Sequence, residues 1–150
     1  MKKITSFEVD HTKINEGVYI SRIDGDITTY DMRTRKPNMG DYMDNITMHT
    51  FEHMFATYVR NSHLADDIIY FGPMGCQTGF YLLVRNAENE AVLKVIKEVL
   101  VKIINHEGEV FGASEIECGN YRSLDLKCAK EEAKKYLEVV EKVESFNYPV

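Results

Sequence analysis

The chain reads as an α+β protein, with helices packed on an antiparallel sheet of about four strands. Three observations lead there. Two β-rich runs flank Asp24-Gly25-Asp26, as a hairpin requires. Two further strand-like runs lie at 66–71 and 80–84, the second continuously apolar, and are too short for helices. Three longer stretches carry apolar residues at helical spacing, and they are interleaved with the strands rather than alternating strictly with them. With 150 residues, 44% of them apolar, the chain is expected to form one domain over 1–150 around one core.

In chain order, residues 4–12 form a polar lead-in holding Ser6, Asp10 and His11. Gly17 to Ile23 and Ile27 to Arg33 are the hairpin strands. Arg33 and Arg35 sit near the second strand's end, where arginines are usually solvated, although a strand end beside a pocket can hold a carboxylate or a sugar hydroxyl. A helix is expected from Asp44 or Asn45 to Asn61. Asp66 to Phe71 reads as a third strand, and Phe80 to Val84 as a fourth, covered on both sides. Between them lies Gly72-Pro73-Met74-Gly75-Cys76-Gln77-Thr78-Gly79, whose glycines allow close backbone approach around a thiol. Residues 89–105 form a helix that covers the core, Glu109 to Gly112 a short strand, and 125–144 a charged helix with Leu126, Ala129, Ala133, Leu137 and Val140 inward. Cys128, on that helix, reads as a small core residue.

Composition excludes several classes of function. A net charge of −6, from 18 basic and 24 acidic residues, does not give the basic face of a general nucleic-acid binder. Glu8 and Asp10 interrupt any signal-like apolar run, and 80–84 is too short to span a bilayer, so a cytosolic protein without a membrane role is expected. Three widely spaced cysteines do not suggest a disulfide framework.

The chemistry concentrates in His49-Thr50-Phe51-Glu52-His53. A helix turns about 100° per residue, so His49 and His53 share one face, with Glu52 beside them and small Ala56 on the next turn. Phe51, Phe55 and Tyr58 point the other way, toward a core. Two imidazoles at this spacing can chelate a divalent metal next to a carboxylate that moves protons, in the inverted order of the zinc-protease motif. The bland alternative is a pair of histidines bonded to backbone. A catalytic site needs a third ligand. Cys118, freed by Gly119, is the favoured candidate and Cys76 the competing one; both together would make a closed, structural site. A peptidase would instead need a carboxylate such as Glu131 or Glu132 from the last helix, and these read more simply as solvated charges. A non-enzymatic metal-stabilised module is the remaining alternative.

Five segments in order resemble S-ribosylhomocysteine lyase, the LuxS family of autoinducer-2 synthesis. They are Ser6-Phe7-Glu8-Val9-Asp10-His11, Tyr30-Asp31-Met32-Arg33 with Pro37-Asn38, His49 to His53, Pro73 to Gly79, and Cys118-Gly119. The departures are Tyr30 for a usual Phe and Thr34-Arg35-Lys36 before Pro37, which adds basic charge near Arg33. The resemblance implies a homodimer with active sites at the interface and a four-stranded sheet packed with helices. It implies one divalent metal per subunit, typically Fe(II), with Zn or Co as substitutes, on His49, His53 and Cys118. The implied reaction cleaves S-ribosylhomocysteine to homocysteine and 4,5-dihydroxy-2,3-pentanedione, by carbonyl migration and β-elimination. Cys76 and Glu52 would move the protons, and Ser6, His11 and Arg33 would hold substrate. The segment from Ser6 to His11 would help close the partner's pocket.

Overall fold

The hairpin forms because Gly25 supplies the left-handed φ, +60°, that a two-residue connection needs. The computed structural model describes residues 1–150. Its first strand, β1 (Gly17–Asp24), pairs antiparallel with β2 (Ile27–Arg33) from Gly17↔Arg33 to Asp24↔Ile27, with one irregularity between Ile20 and Arg22. The other two strands are β3 (Ile68–Pro73) and β4 (Gly79–Arg85). The sheet order is β1-β2-β4-β3, all antiparallel, so β4 inserts between β2 and β3. The expected four-stranded α+β architecture is the one observed.

Before β1 comes a single turn, α1 (Thr5–Glu8), which the polar lead-in does not announce. The metal-motif helix is α2 (Asn45–Val59), with Asp44 accepting a cap bond from Thr47 N at 2.7 Å. The remaining helices are α3 (Asn89–Ile104), capped by Glu88, and α4 (Leu126–Val140), capped by Asp125. No helix is long and apolar enough to cross a membrane.

One face of the sheet carries Tyr30, Met32, Phe80, Leu82 and Val84 into a core shared with the three longer helices. An aromatic stack seats α2 on it. Ring centroids are 4.8 Å apart for Phe51–Phe80, 4.4 Å for Phe55–Phe71 and 5.0 Å for Phe71–Phe80. Truncating one such buried ring costs about 3–5 kcal/mol, enough to fix which face of α2 points outward.

Several local expectations change. Tyr81 and Leu83 are half-buried while Phe80, Leu82 and Val84 are buried, so β4 is covered on one face, not two. The chain supplies only one helical layer. Residues 109–112 form a turn with Gly112 at φ +71°, not a strand. The inward face of α4 is Ala129, Glu132, Ala133, Tyr136 and Val140, with Leu126 and Leu137 at its edge. Tyr136 reaches back to donate to the Gly17 carbonyl at 2.7 Å, which turns the helix toward β1. Cys128 is half-buried beside Asp125 rather than in the core.

Candidate metal centre and the Cys76 cavity

Seating Phe51, Met54 and Phe55 on the sheet turns His49, Glu52 and His53 toward the loop that runs from α3 to α4. That loop brings Cys118. One ligand atom from each of His49, His53 and Cys118 lies within 4.8 Å of the others, and Cys118 Sγ is 3.4 Å from His49 Nε2. The imidazole planes stand at 87° with centroids 4.6 Å apart, so the rings converge without stacking.

The hydrogen bonds behind the rings set their tautomers. Ser123 Oγ donates to the Asn120 carbonyl at 3.1 Å, so its lone pair accepts from His49 Nδ1–H at 2.6 Å. The Phe111 carbonyl accepts from His53 Nδ1–H at 2.7 Å. Both Nε2 atoms are therefore left as ligands, the arrangement found behind metal-bound histidines. Gly112 allows the carbonyl to approach: a Cβ there would sit 3.0 Å from His53 Nδ1. Desolvation, with help from neighbouring His53, lowers the pKa of His49, which favours the neutral imidazole a metal needs. Burial raises the Glu52 carboxyl, and His53 opposes this weakly. The donor set fits a divalent transition metal with three protein ligands, the count of a catalytic centre.

Cys76 is not in this cluster. It is exposed, and it lines a cavity of about 350 Å³ together with Ser6, Phe7, His11, Arg33 and Tyr81. The four expected site residues outside the helix motif and Cys118, namely Ser6, His11, Arg33 and Cys76, therefore meet in one place. His11 Nδ1 donates to the Val9 carbonyl at 2.9 Å, leaving Nε2 for a ligand. Arg33 is not the solvated arginine of the bland expectation but is 2% exposed, bound to Asp31 by Nε at 3.1 Å and Nη2 at 2.6 Å. Tyr148 donates to the same carboxylate at 2.7 Å. Arg35 is buried too and pairs with Glu132, so Glu132 is neither solvated nor free for a metal, while Glu131 is exposed.

Neither His49, His53, Cys118 nor Glu52 lines the Cys76 cavity. Asp31, Arg33 and Tyr81 alternate with core residues and face the open side of the sheet, while the metal ligands lie beyond α2 on the covered side. Ser6, Phe7 and His11 line this cavity with the Cys76 of their own chain. Sequence reasoning missed Ser123, the Phe111 carbonyl, Asp31, Tyr148 and Thr78. Asp31 and Thr78 carried a signal, their places in two of the five family-like segments.

The family model of S-ribosylhomocysteinase (LuxS) matches residues 4–147. The chain belongs to the LuxS family. Its similarity to curated members runs the length of both chains. It is 44% identical to the S-ribosylhomocysteine lyase of Borreliella afzelii (strain PKo), across 99% of this chain and 100% of that one. It is 44% identical to that of Finegoldia magna, across 99% of each. It is 41% identical to that of Clostridium beijerinckii, across 91% of this chain and 90% of the other. The LuxS assignment and the His49–His53–Cys118 cluster were reached independently, one from the whole chain and one from three side chains.

Proposed function

We propose that this chain is a metal-dependent carbon–sulfur lyase that cleaves S-ribosylhomocysteine to homocysteine and 4,5-dihydroxy-2,3-pentanedione, the autoinducer-2 precursor. The observation that carries this reading is the convergence of His49, His53 and Cys118 in a chain that matches the LuxS family from end to end. The chain works as one domain, in the cytoplasm, as a homodimer, with Fe(II) as the expected metal and Zn or Co as functional substitutes.

The thioether carbon is a poor centre for direct displacement. The carbonyl must move along the ribose until the proton β to sulfur is acidic. A divalent ion on His49, His53 and Cys118 supplies Lewis-acid polarisation of carbonyl and hydroxyl oxygens. Cys76 Sγ takes and returns protons at the carbons next to the moving carbonyl. Glu52 takes the proton whose loss expels the sulfur. Burial, which raises its carboxyl, suits a group that must both accept and give a proton. Ser6, His11 and Arg33 hold the substrate in the Cys76 cavity. Arg33 does so with the donor hydrogens that Asp31 and Thr78 leave over.

The separation of the two groups supports a homodimer. Cys76 and the metal ligands of one chain line no common cavity, and a partner subunit that supplies its own ligands would complete the site. The open face also leaves Tyr81 and Leu83 half-buried, as an apolar surface awaiting a partner would.

The test is anaerobic purification, metal analysis and a thiol-release assay with S-ribosylhomocysteine. One metal per chain and steady thiol release are expected. Metal-loaded protein that releases no thiol refutes the proposal.

A further inference from the structure

The segment after α4 returns to the sheet and reaches β2 over the edge strand β1. The Phe146 carbonyl accepts from Ile20 N at 2.8 Å along that edge. Two residues on, the Tyr148 ring stacks on Tyr19, with centroids 4.9 Å apart and planes at 22°. These contacts bring the Tyr148 phenol to Asp31 Oδ2, to which it donates at 2.7 Å. Burial, and then the charge of Asp31, push this phenol up, so it stays a donor at any working pH.

Asp31 is wholly buried and shares a face of β2 with Arg33, two positions along. Its Oδ1 accepts from Arg33 Nε at 3.1 Å and its Oδ2 from Nη2 at 2.6 Å. One oxygen thus serves both the guanidinium and Tyr148. Besides Arg33, Tyr148 is the only group hydrogen-bonded to this carboxylate. A two-pronged pair fixes the plane of a guanidinium only as firmly as the carboxylate itself is fixed. Arg33 has more N–H groups than Asp31 and Thr78 take, and those left over, one on each Nη, are free for a ligand in the cavity that Arg33 lines. Tyr148 lines neither cavity at Cys76, so it acts on such a ligand only through Asp31. A mere brace for β1 would use the Tyr148 ring and the Phe146 carbonyl and would have no need of the hydroxyl.

We propose that Tyr148 is a positioning residue for substrate binding, whose phenol locks the Asp31 carboxylate and so aims the free N–H groups of Arg33 into the cavity. The strap after α4 is thereby part of the substrate site without touching the substrate. The proposal rests on the reading of Arg33 as a group that holds substrate.

Tyr148→Phe keeps the ring and its stacking and removes only the hydroxyl. Two measurements on the full zinc-loaded chain test it. Hydrogen exchange of the Arg33 Nε–H, followed by NMR, reads the orientation of the guanidinium directly. Steady-state thiol release with S-ribosylhomocysteine reads the consequence. A hydrogen bond to a charged group is worth about tenfold or more in an equilibrium. Tyr148→Phe should therefore speed exchange of the Arg33 Nε–H by about tenfold and raise KM by about tenfold at nearly unchanged kcat, as loss of binding shared by substrate and transition state does. Exchange as slow in Tyr148→Phe as in the unmodified chain overturns the proposal. An unchanged KM also overturns it when Arg33→Lys raises KM, and a fall in kcat alone is then the mark of a smaller folded fraction. If Arg33→Lys leaves KM unchanged, the reading of Arg33 as a substrate holder fails, and the exchange rate by itself decides whether Tyr148 positions the guanidinium.

Discussion

Arg35 and Glu132 are joined by two parallel hydrogen bonds of 2.7 Å across 97 positions of sequence. Their side chains are 10% and 3% exposed. The pair clamps the connection after β2 to α4, and it neutralises the extra basic charge that distinguishes Thr34-Arg35-Lys36 from the family pattern. Removing one partner strands a buried charge, at a cost of about 3–5 kcal/mol. Glu132→Ala should unfold at markedly lower urea. Arg35→Met combined with Glu132→Leu should recover most of the loss, because neither charge is then stranded. A urea midpoint unchanged in Glu132→Ala would show that the pair does not stabilise the fold.

The metal centre depends on groups behind its ligands. His49→Ala, His53→Ala and Cys118→Ala should each lose bound metal and thiol release together, since three ligands leave no redundancy. Ser123→Ala should keep the fold but bind metal about 10–100-fold more weakly, because His49 loses the acceptor that fixes its tautomer. Gly112→Ala should also weaken metal binding, as its Cβ presses on His53 from a backbone at φ +71°. Competition against a chelator measures all five. Full metal occupancy in Cys118→Ala would remove Cys118 from the site.

Much of this was legible in the sequence because periodicity and turn chemistry are local. The hairpin at Gly25, the outward face of α2 and the identity of Cys118 as a candidate ligand all follow from short-range rules. What escaped depends on contacts across the chain. Arg33 and Arg35 look like solvent-facing strand-end residues until Asp31 and Glu132 are brought to them. The one-sided cover of β4 was hidden because an apolar strand reads the same whether its second face meets a helix or another copy. Val110 and Phe111 look β-prone, yet the Phe111 carbonyl is needed at His53, and a turn delivers it.

Glu52 should trade stability against catalysis. Its folded-state pKa is raised, chiefly by burial, above the ordinary value of 4.5. The folded chain therefore holds this proton more tightly than the unfolded chain does. The contribution to stability is complete below about pH 4 and is lost as pH rises through the folded value, above which the half-buried charge is a standing cost. In the metal-free protein, Glu52→Gln should raise the melting temperature at pH 7–8, and the difference should vanish near pH 4. The same variant, metal-loaded, should lose roughly 10²–10⁴-fold in thiol release. A melting temperature lowered at pH 8 by Glu52→Gln would contradict the burial argument.

Cys76→Ala should keep its metal and lose catalysis, and the partnership between subunits can be read by mixing such a variant with others. Cys76 shares its cavity with Ser6 of the same chain, while the ligand cluster lines no part of it. If each active site takes Cys76 from one subunit and metal from the other, a hybrid of Cys76→Ala and His53→Ala subunits has one site with both defects and one with neither. Random re-pairing makes half the dimers hybrid, so activity should return to about one quarter of the unmodified level. A mixture of Ser6→Ala and Cys76→Ala behaves differently: both residues serve the same half-site, every hybrid site carries one defect, and no rescue is expected. The readout is thiol release after mixing under conditions that exchange subunits, with the oligomeric state followed by light scattering. Rescue by the Ser6 pair would place the N-terminal segment over the partner's cavity after all. Exchanged dimers of the Cys76 and His53 variants that stay inactive would mean that Cys76 and the metal of one active site come from a single chain.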